Sequence, residues 1–341
     1  MTLDQAMQLA INEAFKGAPY VSPNPKVGCV ILSERGELLS TGYHKKYGDS
    51  HAEIEALKNL NSEQLKGAHV IVTLEPCAHQ GQTGSCAKAL AQLPIKKVTF
   101  GLVDPNPLVA GQGAKILHEA GIEVEEYTGP LKSALEEVCE EFLWNMRHKK
   151  IFVSLKIAQS LDGKIALANG ESKWITGPDS RQIVHRLRAE HDAVLVGKNT
   201  ILVDNPSLDV RHPQIQKDNK VVVLDRSGEI LKKRDRLKIF QAHELKNIII
   251  LPSQNLDTVL DELYKQGIRS IMVEGGGQIY SSFLAQGIVQ RLHLFTAPVI
   301  LGQGIGWAEH FTLSDMQKRL ELKSVKTQLV GQDSYLTGKF I

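Results

Sequence analysis

One imidazole and two thiols constrain this chain more than any other feature: His51 in His51-Ala52-Glu53, Cys77 after Pro76, and Cys86 at a Cys-x8-Cys spacing. Such side chains bind one ion only if the fold returns to the same point. An imidazole with two thiolates suits tetrahedral zinc and leaves a fourth position open to water, which points to chemistry rather than scaffolding. Zinc acidifies a bound water to a pKa of about 7. Glu53, just after the ligand and at a helix start, is placed to take that proton and return it to a leaving amine. Ser85 is available as an N-cap, so Cys86 opens a helix whose dipole favours thiolate. Cys29, inside an apolar strand, and Cys139, inside a helix, have no such company and read as core.

Around these residues the chain alternates strand and helix. Leu3, Met7, Ala10 and Ala14 recur at helical spacing before a Gly17-Ala18-Pro19 break, predicting an opening amphipathic helix. Val27–Leu32, His69–Leu74 and Val98–Val103 read as short buried strands, with helices near Glu53–Asn59 and Ala87–Leu93. A strand at Ile122–Tyr127 and a helix at Ser133–Asn145 complete this unit. The polar, basic stretch Met146–Lys150 then precedes a fresh strand, Ile151–Ile157, and marks a boundary. The second half predicts strands at Ala193–Val196, Val221–Leu224, Ile248–Leu251, Ser270–Val273 and Leu292–Thr296. Its helices fit Pro178–Glu190, Leu256–Gln266 and Gln278–Gln286. Two such alternations argue layered α/β architecture with some parallel pairing, and 341 residues suit two domains of about 150 each.

Composition narrows the partners. With 40 basic and 38 acidic residues the net charge is +2, too little for a broad nucleic-acid or membrane footprint. The run Lys232–Lys238 has no interleaved aromatics for stacking and reads as a solvated face. No apolar run approaches the roughly 20 residues of a bilayer span, and the N-terminus lacks the basic and apolar regions of a signal peptide. Four cysteines fit a reduced compartment. A cytoplasmic location is expected, with no nucleic-acid or membrane partner.

The longer motifs are Pro23-Asn24-Pro25-Lys26-Val27-Gly28-Cys29-Val30, Gly42-Tyr43-His44, His51-Ala52-Glu53, Glu75-Pro76-Cys77-Ala78-His79 with Cys86, and Asp104-Pro105-Asn106-Pro107. The second half continues with Lys156–Lys164, Gly170–Thr176, Asn199–Arg211 and Val273-Glu274-Gly275-Gly276. In this order they resemble the bifunctional riboflavin-biosynthesis deaminase/reductase family over nearly the whole chain. The resemblance implies a zinc-dependent, cytidine-deaminase-like layered α/β domain over residues 1–147 and a dihydrofolate-reductase-like α/β domain over 148–341. It implies hydrolytic deamination of a phosphoribosylaminopyrimidine, then NADPH-dependent reduction of its ribosyl group to ribityl. His51, Cys77 and Cys86 would be the zinc ligands, Glu53 the proton shuttle, and Asn24, His44 and His79 the pyrimidine pocket. The chain departs from the family between the cysteines. Gly81-Gln82-Thr83-Gly84-Ser85-Cys86 stands where the family usually has a basic residue and a Thr-Pro-Pro-Cys run, so Gln82 cannot supply a charge to a phosphate, and losing two prolines is expected to loosen the loop in the unbound state.

In the second half, Ile271-Met272-Val273 runs into Glu274-Gly275-Gly276-Gly277 and a helix, where bare backbone can approach a phosphate. By resemblance Ala158, Trp174, Thr200, Asp204 and the turn Gly275, Gly276 and Gly277 contact NADPH, and Arg226 meets its 2′-phosphate. Ser172, Arg188, Leu208, Arg211 and Glu274 contact substrate, the two arginines through forks suited to a 5′-phosphate. Lys156 and Glu274 are the candidates for polarising or protonating the reacting carbon's nitrogen. The expected partners are the small phosphoribosylaminopyrimidine and further copies of the chain in a homo-oligomer. One alternative is a nucleoside or nucleic-acid deaminase with an unrelated partner domain, which predicts a basic groove. The other is a non-catalytic zinc protein, against which Glu53 argues, because a structural site has no use for a carboxylate outside the shell.

Overall fold

The structure is a computed structural model that describes residues 1–78, 84–106, 110–252 and 255–341. The chain divides into two compact units, Met1–Lys149 and Lys150–Ile341.

In the first unit the elements are α1 (Leu3–Gly17), β1 (Gly28–Leu32), β2 (Leu38–Tyr43), α2 (Ala52–Leu57), β3 (His69–Val72), α3 (Cys86–Leu90), β4 (Lys97–Phe100), α4 (Gln112–Glu119), β5 (Glu123–Glu126), α5 (Lys132–Val138) and α6 (Glu140–His148). The sheet order is β2-β1-β3-β4-β5, antiparallel across β1 and parallel from β3 to β5. Period-two alternation gives it two buried faces. Val30, Leu32 and Ile71 pack under α1, α5 and α6, whereas Cys29, Ile31, Val70 and Val72 pack under α2, α3 and α4. Gly42 in β2 lets α2 lie directly on the sheet, since a Cβ there would collide with backbone atoms of Ala52 and Ala56. The expected helix Ser133–Asn145 is instead two helices, broken at Cys139, whose φ of −105° and ψ of 8° leave the helical region.

The second unit contains β6 (Phe152–Ser160), β7 (Lys164–Leu167), α7 (Pro178–Glu190), β8 (Ala193–Gly197), α8 (Lys198–Asp204), β9 (Lys220–Leu224), α9 (Glu229–Lys232), α10 (Ile239–Ala242), β10 (Ile248–Leu251), α11 (Leu256–Lys265), β11 (Ser270–Val273), α12 (Gly277–Ala285), β12 (Arg291–Ala297), β13 (Gly304–Gly306), β14 (Leu322–Val330) and β15 (Asp333–Phe340). Its main sheet runs β10-β9-β8-β11-β6-β12-β15-β14, parallel until β15 and β14 join antiparallel, and β13 pairs with β7. This is a mixed, dihydrofolate-reductase-like sheet. Val153, Leu155, Leu195 and Val273 face α11 and α12, while Val194, Val196, Val223 and Met272 face α7. From Lys232 to Lys238 every side chain is exposed except Leu237, which is in the core. Among the described residues no helix is long and apolar enough to cross a membrane.

Candidate functional site

In the first unit, α2 begins beside the end of β2 and its N-cap residue is His51. The turn after β3 carries Cys77, and α3 begins at Cys86. Ser85 caps α3, accepting from the Lys88 amide at 3.2 Å, and its hydroxyl donates to the Cys77 carbonyl at 2.8 Å. The two cysteines are thus tied through one serine. His51 Nδ1 lies 3.5 Å from Cys77 Sγ and 3.3 Å from Cys86 Sγ, and the Cys86 amide donates to Cys77 Sγ at 3.3 Å. All three ligand atoms fall within 4.8 Å of one another. The Cys86 thiol is the largest influence pulling Cys77 down to about 4, followed by His51 and the Cys86 amide, while Cys86 is itself pushed up. Two sulfurs this close share one proton, and a divalent cation is what lets both be thiolates. The donor set fits zinc.

A cavity of about 280 Å³ opens on this cluster, lined by His51, Cys77, Glu53, Asn24 and His44 among others. Glu53 is 3% exposed, and burial raises its proton affinity. Asn24 Nδ2 donates to His44 Nε2 at 3.1 Å, and His44 Nδ1 meets the Ser50 carbonyl at 3.1 Å, so His44 is neutral with its proton on Nδ1. Burial lowers its proton affinity in the same sense. Behind Cys77, the Glu75 carboxylate accepts from the amides of Asp104, Gly111 and Ala114 at 3.3, 3.0 and 3.2 Å, anchoring the start of α4 to the ligand turn.

The second unit holds a cleft of about 1490 Å³ across the ends of β6, β8, β9 and β11. At its base Arg188 grips Glu274 in a fork, Nε to Oε1 at 2.6 Å and Nη2 to Oε2 at 3.0 Å, while Lys156 Nζ lies 3.6 Å from Oε2. Burial would raise Glu274, but Arg188 and Lys156 outweigh it and hold the carboxyl at about 2. Burial lowers the Lys156 ammonium, against the pull of Glu274. Trp174 stands 71% exposed on the wall, with the Arg181 guanidinium 4.8 Å from its ring centre. The Ser172 hydroxyl donates to Asp204 Oδ1 at 2.9 Å.

Residues 1–102 match the cytidine and deoxycytidylate deaminase zinc-binding region, and 151–336 match the RibD C-terminal domain. The riboflavin biosynthesis protein RibD of Aquifex aeolicus is 37% identical over 344 residues, covering 96% of this chain and 95% of that protein. The chain belongs to the RibD family. RibD of Escherichia coli is 37% identical over 87% of the chain and 88% of its own length. The Acinetobacter baumannii RibD structure superposes with a TM-score of 0.85 at 36% identity, covering 99% of this chain and 98% of that one. A diaminohydroxyphosphoribosylaminopyrimidine deaminase/5-amino-6-(5-phosphoribosylamino)uracil reductase from Thermotoga maritima gives 0.88 at 33% identity, with coverage of 99% and 98%. This chain is therefore a bifunctional enzyme of riboflavin biosynthesis, a deaminase joined to a reductase. A relationship running through both halves leaves no place for an unrelated partner domain.

Of the residues singled out in the sequence, His51, Cys77, Cys86, Glu53, Asn24 and His44 converge as described; His79 and Gln82 lie outside the described residues. Lys156, Ala158, Ser172, Trp174, Arg188, Thr200, Asp204, Arg211, Arg226, Glu274 and Gly275 to Gly277 all line the cleft of the RibD C-terminal domain. Leu208 is not on its wall; the side chain is 3% exposed and packs with Val194 and Met272 in the core. Arg188 departs from the expectation of a free fork for phosphate, because its nitrogens are engaged by Glu274 and by the Asp209 carbonyl. Sequence reading missed Glu75, His185 and Asp209. Glu75 and Asp209 stand inside the quoted motifs, but they work through backbone amides and carbonyls that a sequence does not display.

Proposed function

We propose that the N-terminal unit deaminates 2,5-diamino-6-(5-phosphoribosylamino)pyrimidin-4-one, exchanging the ring amine for oxygen and releasing ammonia. The C-terminal unit then reduces the ribosyl group of 5-amino-6-(5-phosphoribosylamino)uracil to ribityl. The observation that carries the first step is the convergence of His51, Cys77 and Cys86 on a cavity that also holds a buried carboxylate. When bound, zinc supplies a water acidic enough to lose its proton near neutral pH. Glu53 takes that proton and delivers it to the leaving amine, and its raised proton affinity suits both halves of the transfer. Asn24 and His44, locked by their mutual hydrogen bond, present a fixed edge to the pyrimidine.

NADPH supplies a hydride to the second step. Ala158, Trp174, Thr200, Asp204, Arg226 and the turn Gly275 to Gly277 would hold it in the cleft, and Arg226, with no partner among the described residues, would be free to meet a 2′-phosphate. Reduction would place that hydride on C1′ of the opened ribose, whose carbon–nitrogen double bond would become single as the nitrogen takes a proton. Glu274 is ionised and has no proton to give, so Lys156 is the donor and Glu274 orients it. Arg211, 63% exposed at the rim, takes the 5′-phosphate, while Ser172 completes the substrate contacts. Arg188 acts through Glu274. The enzyme works in the cytoplasm and as a homo-oligomer, for which side chains such as Leu329, 82% exposed on β14, supply apolar surface to cover.

The test is Glu53→Gln. Metal analysis should show zinc retained, since the change lies outside the ligand set, while ammonia release falls about 100-fold or more, the usual lower range for losing a general acid–base group. Near-normal turnover by a zinc-loaded variant would remove Glu53 from the reaction.

A further inference from the structure

His185 lies on α7 one turn before Arg188, on the same face, and both line the reductase cleft. Neither its exposure, 9%, nor its place in the fold suggests direct access to a reacting carbon. Its hydrogen-bond partners among the described residues are in the segment that ends at Arg211. The Arg211 backbone N–H donates to His185 Nδ1 at 3.1 Å, which makes Nδ1 an acceptor and puts the ring proton on Nε2. The Asp209 carbonyl, 3.1 Å from the same nitrogen, takes its hydrogen bond from Arg188 Nη1 at 3.1 Å. Asp209 in turn receives the Ser207 hydroxyl and lies 3.3 Å from Arg211 Nε. The Arg211 side chain is mostly in solvent and meets only Asp209 among the described residues, so its position is set by the backbone from which it springs.

We propose that His185 is a positioning residue for the reductase substrate: through the Arg211 amide it fixes the arginine that meets the substrate's phosphate. The inference rests on the reading of Arg211 given above. The imidazole can do this only as an acceptor, and its surroundings keep it one. Burial, then Arg188 and Arg211, hold its pKa at about 4. Arg188 thereby serves both ends of the site, holding Glu274 with one edge of its guanidinium and the Asp209 carbonyl with Nη1.

The experiment measures steady-state reduction by the full chain with NADPH, using 5-amino-6-(5-phosphoribosylamino)uracil and the same compound without its phosphate. His185→Leu keeps bulk but accepts no hydrogen bond, whereas His185→Asn keeps an acceptor. H185L should raise KM for the phosphorylated substrate about tenfold, the scale of one lost hydrogen bond. It should leave kcat, NADPH affinity and KM for the dephosphorylated compound near wild type. H185N should return KM to within about threefold, half a decade, of wild type. In an Arg211→Ala background H185L should add nothing, because the group it positions is gone. The inference is overturned if H185L lowers kcat on both substrates alike, or if its effect adds fully to that of R211A. Should H185L fail to fold, a folded H185N that raises KM equally for both substrates overturns it as well. If R211A itself fails to distinguish the two substrates, the phosphate reading of Arg211 falls and takes this inference with it. A phosphate-dependent R211A beside a silent H185L sinks the role of His185 alone.

Discussion

Burial alone would protonate Glu274, yet Arg188 at 2.6 Å and Lys156 at 3.6 Å hold it near 2, so it is an anion wherever the enzyme works. Glu274→Gln leaves two largely buried cations without their counter-charge, and the expected cost is about 3 kcal/mol, read as a lower urea midpoint. The same shift sets an acid limb. A carboxyl whose folded value lies below its ordinary 4.5 stabilises fully above that pH and loses the contribution as pH falls toward 2. His185 acts in a higher window: held neutral to about 4 against an ordinary 6.5, it takes up a proton on unfolding and so costs stability as pH falls from 6.5 through 4. Urea titrations from pH 7 to 3 should therefore show falling stability in both windows, with H185N flattening the upper one and E274Q the lower. The convergence of His51, Cys77 and Cys86 was legible because those residue types at that spacing admit few other readings. The role of Arg188 was not, since a guanidinium fork serves a phosphate or a carboxylate equally well, and its carboxylate lies 86 positions away.

Among the elements, the glycine turn before α12 separates packing from binding. A Cβ on Gly275 would sit 2.7 Å from Ile279 Cβ, and one on Gly277 2.8 Å from the Gly306 carbonyl, whereas one on Gly276 meets nothing within 4 Å. Gly276 is the N-cap, and the amides of Gly277 and Gln278 precede the helix's first hydrogen bond, Ile279 N–H to the Gly276 carbonyl at 3.0 Å, which suits them to a phosphate. Gly276→Ala should therefore keep its melting temperature but bind NADPH at least tenfold more weakly, about 1.4 kcal/mol by titration calorimetry. Gly275→Ala should lower the melting temperature. Equal NADPH affinity in G276A would mean that no phosphate approaches this turn. Strands were readable where both faces are buried, as in β1, β8 and β11, whose apolar runs leave no ambiguity of type. The edge strand β14 was not, because Lys323 to Leu329 are all exposed and carry neither an apolar run nor a clean alternation. What makes it a strand is pairing with β15, a tertiary fact.

At the scale of the whole molecule, each unit has its own sheet and its own buried clusters, and each contains all the described residues of one site. The chemistry should therefore separate along the same line. The three residues proposed to hold zinc, His51, Cys77 and Cys86, are all in Met1–Lys149, so stripping the metal with a chelator should abolish ammonia release while leaving NADPH oxidation intact when the deaminated compound is supplied. Cys77→Ser should do the same by lowering zinc content. A fragment of residues 150–341 has the complete eight-stranded sheet and the cleft with Lys156, Arg188 and Glu274, and it should fold alone. Supplied with 5-amino-6-(5-phosphoribosylamino)uracil it should oxidise NADPH, and it should release no ammonia from the diamino precursor. A fragment that melts cooperatively yet stays inert with this substrate, while the full chain turns it over, would mean that residues of the first unit complete the reductase site.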